Sequence, residues 1–162
     1  MEVKQIYLTK MEGEYIGYKI GDGKERLLAR TPEEASINLM KFVDDGKFEV
    51  EKFEKAVKYF IIAQELAVDG SSYPTDKITK NSHDFRPLGL GYANLGAVLM
   101  SLGLPYDSDS GRAVAAAITA IMGGESYKVS AQLASLVGPF PRYNENKESM
   151  IDVIKLHREN VK

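Results

Sequence analysis

Ser82-His83-Asp84 brings a hydroxyl, an imidazole and a carboxylate together, the side-chain types of a nucleophilic relay. Consecutive neighbours cannot converge on one another as a relay requires, so the spacing argues against that chemistry. His83 reads instead as a loop residue near a helix end. The other histidine, His157, stands 74 positions further on. It lies on the apolar edge of a last helix and reads as a partly buried packing residue. Two histidines so far apart are poor material for a metal site. Asp107 and Asp109 could hold a cation, yet helix capping explains them with fewer assumptions. Asp44-Asp45-Gly46 lacks the further ligands of an EF-hand loop. Tyr73, Tyr92, Tyr106, Tyr127 and Tyr143 read as amphipathic packing residues.

A second constellation runs from Gly89 to Gly96, GLGYANLG, at an expected strand-to-helix junction where an anion would meet free backbone N–H groups. The dinucleotide fingerprint needs glycine at position 94 and finds asparagine, and no P-loop lysine follows. These glycines therefore read as a tight turn and close helix packing. Arg86 borders the least charged part of the chain. It could meet a phosphate or carboxylate, but bonding within the fold is the favoured reading. Arg86, Gly89, Gly91 and Asn94 are the candidate contacts for a ligand or partner. Residue types and spacing name no catalytic, cofactor-binding or metal-ligating residue.

The elements that would hold these residues are mostly helices. Residues 1–30 are the exception: Ile6 and Leu8 alternate with Lys4 and Lys10, and Ile16, Tyr18 and Ile20 alternate with Gly17 and Lys19. That period predicts two or three antiparallel strands. Thr31-Pro32-Glu33-Glu34 has the parts of a capping box and predicts a first helix to about Phe42. A turn at Asp44 to Lys47 leads to a second helix, Val50 to Val68, with Phe48 and Phe53 spaced as a hydrophobic staple. Pro74 to Thr79 predicts a short third helix. Arg86, preceding Pro87, is biased towards extended backbone, and Pro87 to Leu90 towards a strand. Further helices are expected over Gly91 to Leu102, from Ser108 or Asp107 through Gly123-Gly124 to about Leu136, and over Lys147 to Glu159. The fold class is α+β, mostly α-helical, as a single domain over residues 1–162. Its centre should lie between Arg86 and Met122, where only Arg86, Asp107, Asp109 and Arg112 are charged.

Composition narrows the function by exclusion. The chain has 162 residues, 21 basic and 23 acidic side chains, and no cysteine or tryptophan. A formal charge of −2 makes no electrostatic case for nucleic acid or an anionic membrane. Without cysteine there is no disulfide scaffold, thiolate metal site, cysteine nucleophile or thiyl radical within this chain. Pro87 to Tyr106 is uncharged over about the length of a membrane span, but its glycines, prolines, Asn94 and Ser101 fit a buried core element better. The charged start, MEVKQIYLTKMEGE, reads as no export signal. A cytoplasmic location is expected.

The segment NSHDFRPLGLGYANLG (81–96), continuing to Phe140, resembles vitamin B12-dependent (class II) ribonucleotide reductase. ASINLMKF (35–42), VDGSSYPT (68–75) and NKESMIDVIKLHR (146–158) fit the same family, so the resemblance covers about residues 35–158. It implies a mostly helical part of the catalytic ten-stranded barrel, with RPLGLG on a barrel strand. It also implies an enzyme that reduces ribonucleotides through a thiyl radical generated with adenosylcobalamin. The departures matter. The family reads Cys-Asn-Leu before Ala-Ser-Ile-Asn-Leu, and that cysteine belongs to its redox pair; here Pro32, Glu33 and Glu34 stand there. The radical cysteine has no counterpart in residues 1–31, and the family's phosphate-binding segment none in this sequence. No catalytic residue of the family maps onto any position, and no cofactor is expected in this chain.

The resemblance implies a split or accessory piece of a reductase in deoxyribonucleotide synthesis, catalytically incomplete alone, with the reductase catalytic chain as its partner. The alternative is a non-catalytic module that reuses the helical segment to bind a protein or small ligand. A homodimer is expected slightly ahead of a monomer, with the hairpin unit covering apolar residues around Pro87 to Leu90. Neither nucleic acid nor membrane is expected as a partner.

Overall fold

The computed structural model describes residues 7–10, 16–19, 25–29 and 34–161, with side chains from residue 36 onward. Three short strands open it: β1 (Tyr7–Lys10), β2 (Ile16–Lys19) and β3 (Glu25–Ala29). They form an antiparallel meander in the order β1-β2-β3, as the period-two pattern predicts. The expected packing of their side chains over Pro87 to Leu90 lies outside the described residues.

The expected first helix is not there. Thr31, Pro32 and Glu33, and with them most of the capping box, lie outside the described residues. Glu34–Asn38 is a strand, β4, paired in parallel with β7 (Gly89–Ala93) from Glu34↔Gly89 to Asn38↔Ala93. Only Leu39–Phe42 turns, as one short 3-10 helix capped by Asn38. Burial explains the outcome: Ile37 and Leu39 are 3% and 0% exposed while Ser36 and Asn38 are exposed. Period-two burial beside a parallel partner overrides the local helix signal.

Beyond it the chain follows its patterning closely. β5 (Val43–Asp44) and β6 (Lys47–Phe48) flank a two-residue turn in which Asp45 and Gly46 both have positive φ, at 46° and 69°. That is a type I′ hairpin. Helix α1 (Val50–Gly70) begins beyond Glu49, with the Phe48 and Phe53 rings 5.4 Å apart and nearly perpendicular. The staple is as expected. Phe42 meets Phe53 at 5.3 Å, so three aromatics close the entry to α1.

Helix α2 (Asp76–Phe85) is longer than predicted and is capped by Thr75, whose hydroxyl oxygen accepts from Ile78 N. β7 gives way to a short α3 (Leu95–Ser101), four residues later than expected. Helix α4 runs unbroken from Asp109 to Val137, through Gly123-Gly124, with Ser108 as its cap. Helix α5 (Tyr143–Asn160) starts earlier than the pattern indicated.

The core is built by α1 as much as by the low-charge interval. Phe53, Val57 and Ile61 from α1 meet Ile37, Leu39, Val98 from α3, and Ile118 and Val129 from α4. Within the supposed centre, Met100 and Tyr106 are 74% and 70% exposed. No helix among the described residues is long and apolar enough to cross a membrane.

Candidate functional site

The candidate residues gather around the two ends of β7. Arg86 stands before it. Its Nε donates to Glu65 Oε1 at 2.5 Å, its Nη1 to Asp69 Oδ1 at 2.7 Å and its Nη2 to the Glu65 carbonyl at 3.0 Å. The guanidinium is thus spent on α1, the structural role favoured from sequence. Asp69's hydrogen bond, ahead of Glu65's, raises the affinity of Arg86 for its proton further still. Reciprocally, the Arg86 hydrogen bond holds the Asp69 carboxyl below its ordinary value.

The Arg86 backbone contradicts the pre-proline expectation. It lies in the left-handed region, φ 45° and ψ 53°, and its N–H donates to the Ser82 carbonyl at 2.9 Å. A left-handed cap satisfies the end of α2, and the three side-chain bonds hold it there against the preference imposed by Pro87. His83 sits inside the last turn of α2 rather than in a loop, with its Nδ1 3.7 Å from Asp69 Oδ1 and its ring edge-on to Tyr73.

Gly89 and Gly91 serve the sheet. Gly91 pairs with Ser36 across the parallel ladder. Gly89's carbonyl accepts a 2.6 Å bond from Gln64 Nε2, and Gln64 is only 2% exposed. Asn94 follows β7 directly, also left-handed at φ 70°, and its side chain makes no cap bond to α3. Its Nδ2 reaches across the strand pair to Asn38 Oδ1 at 2.9 Å. Arg86 and Asn94 therefore bracket β7, one locking its entry to α1 and the other its exit to β4.

Sequence reasoning missed Glu65, Asp69 and Asn38. Glu65 and Asp69 are one helical turn apart on α1, a spacing that makes a two-carboxylate landing for a single arginine. Gln64 shares the helical spacing of Phe53, Val57 and Ile61, and a lone amide in such a stripe is a signal for a buried backbone partner.

The other expectations resolve simply. Asp107 and Asp109 both pair with Arg112 at 2.7 Å, leaving the cap to Ser108. His157 is exposed, not packed, and bonds Tyr127 Oη at 3.1 Å. Tyr92 Oη joins Thr119 at 2.7 Å and ties β7 to α4. Among the described residues no group of three side chains could hold a metal ion.

A family model described as ribonucleotide reductase, barrel domain, matches residues 33–160. The vitamin B12-dependent ribonucleotide reductase of Rhodopirellula baltica is 56% identical over 126 residues, covering 77% of this chain and 12% of that protein. Its namesake in Streptomyces avermitilis is 52% identical over 128 residues, 76% of this chain and 13% of that one. The ribonucleoside-diphosphate reductase large chain of Encephalitozoon cuniculi is 33% identical over 109 residues, 67% of this chain and 14% of the relative. The chain spans only 12–14% of the length of these relatives.

Proposed function

The chain belongs to the ribonucleotide reductase barrel-domain family, and from that premise we propose that it works as a split or accessory part of a reductase, catalytically incomplete alone. One observation carries this reading. β4 and β7 are parallel strands that pair only with each other among the described residues. Parallel strands normally lie inside larger sheets covered on both faces, and a two-stranded pair is marginal by itself. The positions beside this pair, where no other described strand hydrogen-bonds to it, are where further barrel strands belong, supplied by the rest of a reductase.

The chemistry supports the same reading. The relatives are named as ribonucleotide reductases dependent on vitamin B12. The family resemblance assigns the reduction to thiols, and this sequence contains no cysteine. In a complete assembly cobalamin would supply radical chemistry, but the residues here do not fit it. Its two imidazoles stand apart, His83 with Nδ1 3.7 Å from Asp69 and His157 bonded to Tyr127 on a different helix. This chain's contribution is to fix backbone: Arg86 anchors the entry to β7, Gln64 holds Gly89, and α1 and α4 back the strands.

The test is a graft. Residues 35–158 would replace the matching segment of the Rhodopirellula baltica enzyme. A folded chimera that reduces ribonucleotides is expected; an insoluble chimera, or a folded but inactive one, overturns the reading. The 162-residue chain alone, given adenosylcobalamin, a dithiol and four nucleotides, should show no turnover above a boiled control.

A further inference from the structure

Asn94 occupies the N-cap position of α3, where asparagine is among the best residues because its side chain accepts from the helix. Here it makes no such bond and holds a left-handed backbone. Its amide goes to Asn38 instead, 56 residues away in sequence. Asn38 ends β4, opposite Ala93 at the end of β7, so the two carboxamides sit together at the carboxyl end of a parallel strand pair.

The hydrogen bonds fix which atoms face outward. Met40 N–H, 3.1 Å from Asn38, can donate only to oxygen, so Oδ1 must face it. Asn94 then has to present nitrogen to that same oxygen, 2.9 Å away. Neither amide can be flipped without losing a bond. What remains is Nδ2 of Asn38, with both its hydrogens, and Oδ1 of Asn94. Neither atom has a partner among the described residues, and both side chains are exposed.

A donor beside an acceptor complements one peptide group, whose C=O would take the Asn38 hydrogen and whose N–H would meet Asn94 Oδ1. Resting on the barrel reading above, we infer that the Asn38–Asn94 pair is a docking point for an extended backbone segment. That segment comes from the rest of the reductase and crosses the carboxyl ends of β4 and β7. An extended backbone is the occupant because β4 and β7 hydrogen-bond to no other strand among the described residues, and the relatives are several times longer than this chain.

Asn38→Asp separates docking from internal pinning. An aspartate oxygen still accepts from Met40 and Asn94, but the outward donor becomes an acceptor that repels a peptide carbonyl. In the 162-residue chain the urea midpoint should be unchanged or slightly raised. In the grafted reductase, the half-life of activity at elevated temperature should fall roughly five-fold or more, the scale of one lost hydrogen bond. Asn94→Ala, which breaks the pin itself, should weaken both proteins. An Asn38→Asp graft as durable as the unsubstituted graft overturns the docking inference while leaving the barrel reading intact. So does equal weakening of chain and graft. An unsubstituted graft that does not fold overturns both.

Discussion

Replacing Arg86 tests the α1–β7 anchor and its backbone strain together. Arg86→Ala removes three donors. Two of them serve Glu65, whose side chain is 25% exposed, against 16% for the arginine. Charge-assisted bonds of that kind are worth about 2–3 kcal/mol, much of it the cost of leaving a partly buried carboxylate without its partner. Asp69 is 65% exposed, so water screens its pair and the added loss is a few tenths, roughly 0.5 kcal/mol at most. The sum is about 3 kcal/mol, or a fall in melting temperature of roughly 6–12 °C for a domain of this size. Arg86→Gly loses the same bonds but relieves the left-handed backbone at φ 45°, recovering about 1 kcal/mol. Glycine should therefore be the better substitute, the reverse of its usual rank. Urea denaturation of the three proteins measures this. A glycine variant no more stable than the alanine variant refutes the strain argument, and an alanine loss under 1 kcal/mol refutes the anchor.

The same anchor sets an acid dependence. The Asp69 carboxyl is held below its ordinary value chiefly by the Arg86 hydrogen bond, so its contribution is complete above about pH 4. It is lost as pH falls through the lower folded value. Between pH 5 and 2 the wild-type chain should lose stability more steeply than Arg86→Ala, by a small margin given the exposure of Asp69; parallel pH profiles would contradict this. Glycines on α4 should split by surroundings. A Cβ on Gly111 would lie 2.7 Å from the Pro105 carbonyl oxygen, whereas one on Gly123 or Gly124 meets nothing within 4 Å. Gly111→Ala should cost about 1–3 kcal/mol, and alanine at 123 or 124 should add about 0.5–1 kcal/mol each, both read from urea midpoints. Phe53→Ala removes a ring that is fully buried between Phe42 and Phe48. It should cost about 3–5 kcal/mol by the same measurement.

Most of the helical half was legible because its signals are local. The Phe48–Phe53 staple, the Ser108 cap and the α4 stripe through Val114, Ile118 and Ile121 each declare themselves within a few residues. Even Gly123-Gly124 did not break α4, since Ile118 and Val129 bury on either side of it. The error at residues 34–38 has the opposite cause. Ala35 to Asn38 could be helix or strand by propensity, and Thr31-Pro32 tilted the reading towards helix. The partner that makes it a strand lies beyond α1 and α2, at Gly89 to Ala93. His157 was misplaced for a related reason: α5 buries none of its side chains fully, so its apolar stripe predicts a covered face that the described residues do not cover.

The same distance in sequence governs the site. Arg86 and Asn94 stood out in the sequence, one for its charge beside an uncharged run and the other for standing where a glycine fingerprint failed. Their partners were invisible because nothing near residue 86 points to Glu65 and Asp69, and nothing near residue 94 points to Asn38. By sequence Asn94 breaks the dinucleotide fingerprint and stands as a candidate contact; the fold uses it as a bridge between strand ends, and its left-handed backbone goes with the missing cap bond to α3. The capping rule is broken where Asn94 ties the end of β7 to a strand end 56 residues earlier in the chain. A glycine motif scores Asn94 as a missing glycine, while the physical question is where its amide goes once it does not cap α3.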